Sequence, residues 1–577
     1  MILQALTAYY KTLADKGEIS PPGWGLVNVS FVLCINDSGA LERVISVQSE
    51  QPRGKKMVLA PKSILLPAPV KRSSGVSANF LCDNSSYLLG IDSKGKPERA
   101  LECFHASKNL HLALLEGMDS PAACAVTSFF QTWQPEQAQN VPALSDHLDE
   151  ILAGGNLIFR YGGQDVHCDP LIRQAWENHY NTQTDGIQMV CLVTGAYGPV
   201  EPVHPSIKNV QGAQSSGAAL VSFNAPSFCS YGKEQNLNAP TSKYAAFAYT
   251  TALNHLLADR DHVYRMGDTT VVCWARGGGS AYQALFGGAC FGSPLSYTAN
   301  DLQSIVKKLC QGESVLYDET KLDPNMEFYV LGLAPNAARL SVRFFLRNTF
   351  GGFLRHIQAH QQRLEIIRPA SDKFDAIPIW KLLDETVNQN ARDKSPSPIL
   401  SGEVFRSVLT DTRYPATLLN GVTLRIRAEH RVTRGRAAIV KAYYLQNPNS
   451  DVPKEVLTVS LNPDSTHIPY NLGRLFSVLE AIQSAANPGI NATIKDKYFN
   501  SASATPAHVF PVLLNLAQKH LKKLDGGLRT YYDKELTQLM SKLGEAYPTR
   551  LNLPQQGAFQ LGYYHQTQAR FEKKEEK

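Results

Sequence analysis

The spacing of apolar residues changes along this 577-residue chain, and that change constrains the fold more than any other feature. From Asn471 onward the sequence consists almost wholly of helix formers, and its apolar side chains recur three and four positions apart, as on the buried face of a helix bundle. The first such stripe contains Leu472, Leu475, Phe476, Leu479 and Ile482. Further helices are predicted over 506–524, 528–543 and 558–571. The last part of the chain is therefore predicted to be all-α.

Before that point, short apolar runs bounded by turn residues predict strands among helices. An amphipathic helix is predicted over 1–17, and a hairpin over 26–47 with its turn at 36–39. Further strands are predicted over 58–66, 157–161, 218–223, 269–275, 328–333 and 338–345, and further helices over 101–116, 121–133 and 350–366. The glycines of 285–292 predict a loop that could lie against a DNA groove or serve as a mobile connection. We therefore expect an α+β N-terminal region followed by an all-α helical-bundle C-terminal domain.

Prolines and charges mark a connection between these parts. Residues 368–402 contain Pro369, Pro378, Pro396 and Pro398 among many charged residues, which is typical of an inter-domain connection. A chain of this length also exceeds one typical domain. We predict an α+β N-terminal region at 1–368, a linker with a basic helical segment at 369–460, and a helical bundle at 461–577.

Positive charge is concentrated toward the C-terminal end. Residues 401–577 contain 23 Lys and Arg against 15 Asp and Glu, a net charge of +8, whereas the first 400 residues, with 34 and 36, have a net charge of −2. A basic region can attract a nucleic-acid backbone, although many cytosolic proteins show such an asymmetry without binding nucleic acid. The candidate phosphate contacts in this region are Arg425, Arg427, Arg431, Lys519, Lys522, Lys523 and Arg529.

Cysteine usage and hydropathy indicate the compartment. All ten cysteines lie between Cys34 and Cys310 without a C-x-x-C pair, which indicates reduced thiols rather than a disulfide framework or a zinc site. No apolar run approaches a membrane span, and residues 1–17 resemble an amphipathic helix more than a signal peptide. We therefore expect a cytoplasmic protein.

No residue set has the spacing of a known catalytic or phosphate-loop motif. The triple glycine 277–279 is not followed by Gly-Lys-Ser/Thr, so an ATPase site is not expected. His356 and His360 have metal-ligand spacing but lack the glutamate of a zinc protease, and a solvated helix face is favoured for them and for the acidic cluster 146–150. We therefore expect no enzyme, no cofactor and no metal. Two alternatives stay open: a metal-dependent nuclease with a dispersed active site, and a scaffold without direct DNA contact.

Residues 224–240, which we call the amide loop, lie between the predicted strand 218–223 and a helix that Thr241 or Ser242 can cap. Amides and hydroxyls on a rigid frame suit hydrogen bonding to base edges and phosphates. The candidate contacts are Asn224, Ser230, Tyr231, Lys233, Asn236 and Asn238. An ordinary surface loop has the same composition, so composition alone leaves both interpretations open.

A second candidate contact is the run Lys71, Arg72, Ser73 and Ser74, which precedes Gly75. Two cations, two hydroxyls and a glycine that lets the backbone approach closely are suited to binding a phosphate. A solvated turn with basic residues is an equally good interpretation of the run taken alone.

Four segments resemble the large subunit of type I-C CRISPR surveillance complexes. They read SFNAPSFCSYGKEQNLNAP (222–240), VKRSSGVSANFLCDNSSYLLG (70–90), YNLGRLFSVLEAIQSAANPGINATIKDKYFNSASATPAHVFPVLL (470–514) and QGAFQLGYYHQTQARF (556–571). The segments lie far apart, follow the order of the family and span nearly the whole chain. The C-terminal helices also resemble the small subunit of the same complexes.

The resemblance implies a non-catalytic subunit of an antiviral ribonucleoprotein complex, Cascade. In such complexes the guide RNA (crRNA) recognises the target by base pairing, and the protein recognises a short adjacent duplex motif, the PAM. The implied roles are PAM recognition, help in opening the target, holding the displaced strand of the R-loop, and docking of a helicase-nuclease. The implied partners are the crRNA with its backbone, crRNA-processing and small subunits, the double-stranded target and the displaced single strand. We place PAM recognition on the candidates at 71–74 and in the amide loop.

Overall fold

The predicted hairpin is present: Trp24–Ile35 (β1) and Leu41–Ser46 (β2) pair antiparallel in a computed structural model of the chain. The structure describes residues 1–53, 56–70, 72, 75–92, 95–182, 186–292, 299–392 and 394–571. The chain divides into two compact units, unit 1 (1–205 with 221–253) and unit 2 (206–220 with 254–577). The α+β N-terminal part and the helical C-terminal part are confirmed. The division at 368/369 and 460/461 stays a prediction about folding units.

Unit 1 contains a mixed sheet and the helices that cover it. After β2 its strands are β3 (Ser49–Arg53), β4 (Lys56–Ala60), β5 (Lys62–Pro67), β6 (Cys82–Asp83), β7 (Asn156–Tyr161), β8 (Gln164–Asp165), β9 (Gln188–Val190) and β10 (Tyr197–Pro199). Its helices are α1 (Ile2–Asp15), α2 (Ser85–Leu88), α3 (Pro97–Leu115), α4 (Pro121–Thr132), α5 (Leu148–Ala153), α6 (Pro170–Thr182) and α7 (Lys243–Ala258), the last of which continues into unit 2.

Strand β1 is the centre of the unit 1 sheet. It pairs antiparallel with β2 and β5 and parallel with β7, which in turn pairs with β6 and β8. Phe31, Phe129, Phe130 and Phe159 are fully buried on one side of this sheet. The imidazole of His111 stacks on Phe130, with ring centroids 4.5 Å apart. A full apolar core of this kind holds the loops of unit 1 on a rigid support.

Unit 2 combines an antiparallel sheet with most of the helices. Its strands are β11 (Tyr264–Met266), β12 (Thr269–Ala275), β13 (Val315–Tyr317), β14 (Thr320–Leu322), β15 (Glu327–Asn336) and β16 (Arg339–Thr349), with β11-β12-β15-β16 forming one sheet. Its helices are α8 (Ser280–Phe291), α9 (Ala299–Cys310), α10 (Phe350–Leu364), α11 (Ile379–Asp384), α12 (Pro398–Thr410), α13 (Ala416–Glu429), α14 (Arg434–Gln446), α15 (Ile468–Ala486), α16 (Ile494–Ala504), α17 (Pro506–Leu521), α18 (Gly526–Met540) and α19 (Leu553–Ala569).

Helices α15 and α19 cross closely because each has a glycine at the crossing. A Cβ on Gly473 would lie 1.9 Å from the carbonyl oxygen of Phe559, and one on Gly562 would lie 2.0 Å from that of Tyr470. Only hydrogen fits such backbone contacts. One apolar core runs from the unit 2 sheet to these helices without interruption at 460/461. Within the described residues, no helix is both long and apolar enough to span a membrane.

Two secondary-structure predictions are wrong. Residues 218–223 form no strand: Ala218 and Ala219 each make one isolated bridge, to Ile207 and Arg339. Periodicity indicates burial but cannot supply a partner strand. The predicted loop 285–292 lies mostly in helix α8, where a Cβ on Gly287 would lie 1.7 Å from the hydroxyl oxygen of Tyr264. The glycine there permits close packing rather than backbone freedom.

Candidate nucleic-acid interface

The amide loop is held in shape by Asn238. Its Oδ1 accepts a hydrogen bond from the Ser230 backbone N–H at 2.9 Å. Its Nδ2 donates to the carbonyl oxygens of Lys233 and Gln235 at 3.2 and 2.9 Å. Asn238 therefore uses its amide within the loop and fixes its turn. This hydrogen bonding supports the left-handed backbone of Tyr231 and Gln235, with φ of 54° and 46°.

The remaining candidates in the amide loop separate into one buried and four exposed residues. Asn236 is only 2% exposed, and its backbone N–H donates to the Pro202 carbonyl at 3.3 Å. A side chain at that depth cannot reach a base edge without movement of the loop. Tyr231, by contrast, is 98% exposed at the turn. The other exposed candidates are Asn224, Ser230 and Lys233.

The end of the amide loop is joined by hydrogen bonds to the buried Cys191 and its neighbours. The Sγ of Cys191 accepts hydrogen bonds from the backbone N–H groups of Thr194 at 3.4 Å and Ser242 at 3.2 Å. Burial alone would raise the pKa of the Cys191 thiol, but these donors lower that pKa to about 7. Leu192 also donates its N–H to the Pro240 carbonyl at 2.9 Å, and Ser242 caps α7 through the Ala245 N–H as predicted. The C-terminal end of the loop is therefore held by fixed backbone.

Arg72, the described member of the 71–74 candidate, is engaged within the chain. Its guanidinium donates to both carboxylate oxygens of Asp83, one of them at 3.0 Å, and to the Ser77 carbonyl at 2.5 Å. It also lies over the Tyr87 ring at 3.9 Å. Arg72 thus uses its guanidinium within the chain. Lys71, Ser73 and Ser74 lie outside the described residues.

The arginines of the basic segment 417–447 are largely paired with acids and amides. Arg425 forms an ion pair with Glu429 at 3.5 Å, and Arg427 donates to Gln556 Oε1 at 2.8 Å. Arg431 has an exposed side chain. The three candidates of this segment therefore differ in availability: Arg431 is exposed without an ion pair among the described residues, and the other two have partners in the chain.

The end of α17 and the start of α18 form a second basic surface, which we call the lysine patch: Lys519, Lys522, Lys523 and Arg529. All four side chains are exposed. Lys523 contacts Asn487 Oδ1 at 3.2 Å, and Arg529 has a loose 3.9 Å ion pair with Asp533. Tyr531, 42% exposed on α18, adds an aromatic ring nearby in sequence. Cations beside an aromatic ring are typical of surfaces that bind single strands.

The prediction that His356 and His360 lie on a solvated face of α10 is wrong. His360 is 4% exposed and its Nδ1 lies 2.6 Å from the Tyr414 hydroxyl, while His356 Nδ1 lies 2.6 Å from the Leu409 carbonyl. Burial lowers the pKa of His360 to about 3, so the ring is neutral. In the part of the chain that is described, no three His, Cys, Asp or Glu side chains are grouped to hold a metal ion.

The amide loop in unit 1 and the lysine patch in unit 2 are each a candidate contact for nucleic acid, and they indicate a nucleic-acid-binding protein. The model of a family described as CRISPR-associated protein (Cas_Csd1) matches residues 6–571. The chain belongs to this family and is a CRISPR-associated protein of the Cascade type. A search of curated proteins returns no match.

Proposed function

We propose that the protein is the non-catalytic large subunit of a type I-C crRNA-guided complex and recognises the PAM duplex through the amide loop. The observation that carries this proposal is a polar loop fixed by Asn238 that presents Tyr231 almost fully to solvent. Membership of a CRISPR-associated family and the four type I-C-like segments support the same assignment.

Different residues of the amide loop have different roles in this proposal. Asn236 and Asn238 maintain the loop, since one is buried and the other is bonded to loop backbone. The contacts are made by the four exposed candidates, Asn224, Ser230, Tyr231 and Lys233. A hydroxyl and an ammonium group can contact groove acceptors and phosphates, and an aromatic ring can pack on a base pair where the duplex opens. Because the loop is already ordered, little conformational entropy is lost on binding.

The lysine patch serves the displaced strand. Its four exposed cations can follow a phosphate backbone, and the neighbouring Tyr531 can stack on a base. Opening of the target leaves a single strand that needs such a surface. The other partners in the proposal are the backbone, crRNA-processing and small subunits and a helicase-nuclease recruited after target binding.

The test compares loop variants in the complex assembled with its guide and partner subunits, using duplexes with and without the PAM. Tyr231→Ala is expected to reduce the difference in binding free energy between the two duplexes by about 1–3 kcal/mol, as loss of a base contact does. Lys233→Ala is expected to weaken both duplexes alike, because phosphate contacts are independent of sequence.

Ser227→Ala is the matched control, since Ser227 is an exposed side chain of the same loop outside the proposed contact set. It should behave as the unmodified protein. An unchanged affinity ratio in both Tyr231→Ala and Asn224→Ala would show that PAM recognition lies elsewhere.

A further inference from the structure

A cleft of about 550 Å³ opens in unit 2 between residues 369–385 and the start of α14. Sites for small molecules have volumes of roughly 300–1,000 Å³. The lining residues that matter here are Lys373, Phe374, Lys381, Arg431, Thr433 and Arg434. The cleft is thus lined by cations and an aromatic ring, most of which the sequence does not single out.

The two carboxylates that line the cleft, Asp372 and Glu385, form ion pairs within the chain. Asp372 contacts Lys381 Nζ and Arg434 Nη1, both at 3.1 Å. Glu385 forms an ion pair with the buried Arg436 at 3.2 Å. Four cations line the cleft against these two carboxylates, so positive charge is in excess there: Lys373, Lys381, Arg431 and Arg434.

Two cations remain available to a ligand. Lys373 and Arg431 are both exposed, and neither forms an ion pair within the described residues. Arg434 also lines the cleft: its Nη1 is paired with Asp372, its side chain is only 9% exposed, and its Nε is buried without a hydrogen-bond partner among the described atoms. The cleft therefore favours a ligand with negative charge.

Phe374 lines the cleft, and Trp380 packs against it from the side. Phe374 is 36% exposed and packs edge-on against Trp380, which is 45% exposed, with ring centroids 5.9 Å apart. Lys381 Nζ lies over the Phe374 ring, 4.2 Å from its centre, and makes a cation–π contact with it. Exposed aromatic rings beside unpaired cations offer both a stacking surface and a phosphate contact.

Arg434 keeps this arrangement in place. Its guanidinium donates to the backbone carbonyls of Phe374 at 2.5 Å and Asp375 at 2.7 Å, in addition to the Asp372 carboxylate. The segment that carries Lys373 and Phe374 is thereby attached to the first residue of α14. The cleft is therefore a preformed feature of the fold, which reduces the entropic cost of binding.

We propose that this cleft binds one nucleotide of a single-stranded nucleic acid. The phosphate meets Lys373 and Arg431, and the base packs against Phe374, next to Trp380. A phosphate alone would leave the Phe374 ring unused, and a paired base would present no free face to it. The site lies in unit 2, apart in sequence from the amide loop and the lysine patch, so it does not depend on either role.

The test uses the fluorescence of Trp380 in the full-length protein. Of the five tryptophans, Trp380 is the exposed one, so quenching by a ligand reports on the cleft. The probes are an oligo-dT of eight nucleotides, an oligo-U of eight nucleotides, dTMP and inorganic phosphate. Both oligonucleotides should quench the signal, and their relative affinities tell DNA from RNA. Trp380→Phe should abolish the quenching.

Lys373→Ala combined with Arg431→Ala is expected to weaken oligonucleotide binding at least about tenfold at low salt, and Phe374→Leu by a similar factor. Arg406→Ala combined with Lys454→Ala removes two exposed cations elsewhere in unit 2 and should have no effect. Circular dichroism on heating checks that each variant is folded. The proposal is overturned if the cleft variants bind as tightly as the control pair, if quenching persists in Trp380→Phe, or if inorganic phosphate displaces oligo-dT as well as dTMP does.

Discussion

Segment 417–447 and the lysine patch are both basic in sequence, yet their charges are used in opposite ways. Arg425, Arg427 and Arg436 bind acids and amides of the same chain, and Arg436 is 3% exposed. The cations of the lysine patch extend into solvent. The number of charges in a segment therefore does not predict how many can meet a phosphate, because fixed internal partners remove some of them.

The largest expected difference between these regions is in stability. Arg436→Ala removes a buried guanidinium that lies 3.2 Å from Glu385 and 2.5 Å from Glu429. Loss of the guanidinium leaves the largely buried Glu385 without its ion-pair partner, whereas Glu429 keeps Arg425, so the free energy of unfolding should fall by about 3–5 kcal/mol. Urea denaturation measures this. Arg431→Ala, on an exposed side chain of the same segment, should change it by less than about 0.5 kcal/mol; equal losses in both variants would contradict the distinction.

A second expected difference is acid sensitivity in the core of unit 2. Burial is the main cause that lowers the pKa of His360 to about 3 and that of His565 to about 4, from 6.5 in the unfolded chain. The unfolded chain thus binds protons that the folded protein does not. The contribution of these two histidines to the free energy of unfolding should be fully present above pH 6.5. It should fall as the pH drops toward 4, by up to about 1.4 kcal/mol per pH unit for each histidine.

Urea denaturation between pH 7 and pH 4.5 measures that slope. His565→Gln should reduce it, whereas His508→Gln, on an exposed histidine of α17, should leave it unchanged. If the unmodified protein, His565→Gln and His508→Gln all show the same change of unfolding free energy with pH, carboxylates alone govern the acid response.

The smallest expected effect concerns the lysine patch. Replacing Lys519, Lys522 and Lys523 together by Ala should lower affinity for single-stranded DNA about tenfold at low salt and flatten the salt dependence of binding, since up to three phosphate contacts are lost. The unfolding free energy should stay within about 0.5 kcal/mol, because the side chains are exposed. A marked loss of stability with unchanged binding would assign these lysines to packing.

Much of the fold could be predicted because periodicity reports directly on which face is buried. Helices α1, α3, α4 and α10 and strands β1, β7, β12 and β15 lie where apolar spacing places them. Helix α16 was not predicted, since it follows a stretch rich in Gly, Asn and Pro; its one strong signal is the capping box of Thr493 and Asp496. The failure at 218–223 has another cause, namely that strand pairing depends on residues far away in sequence.

The candidate site was only partly predictable. Composition indicates that 224–240 is a polar loop, but not that Asn238 turns inward to backbone or that Asn236 is buried. The same holds for Arg72, which contacts Asp83 rather than solvent. The sequence does not single out Lys373 or Phe374, because their role depends on Arg434 at the start of α14, which binds the backbone of this segment. Side-chain direction and tertiary neighbours decide these roles.

The central claim is that the exposed tip of the amide loop contacts the PAM duplex, and site-specific crosslinking tests it most directly. A photoreactive phenylalanine analogue at position 231, in the assembled complex bound to a labelled target, should crosslink to DNA at or beside the PAM base pairs. The same analogue at position 171, an exposed leucine of unit 1, serves as the control and should give no crosslink there. The account is contradicted if position 231 crosslinks only to guide RNA, to protein, or to DNA remote from the PAM.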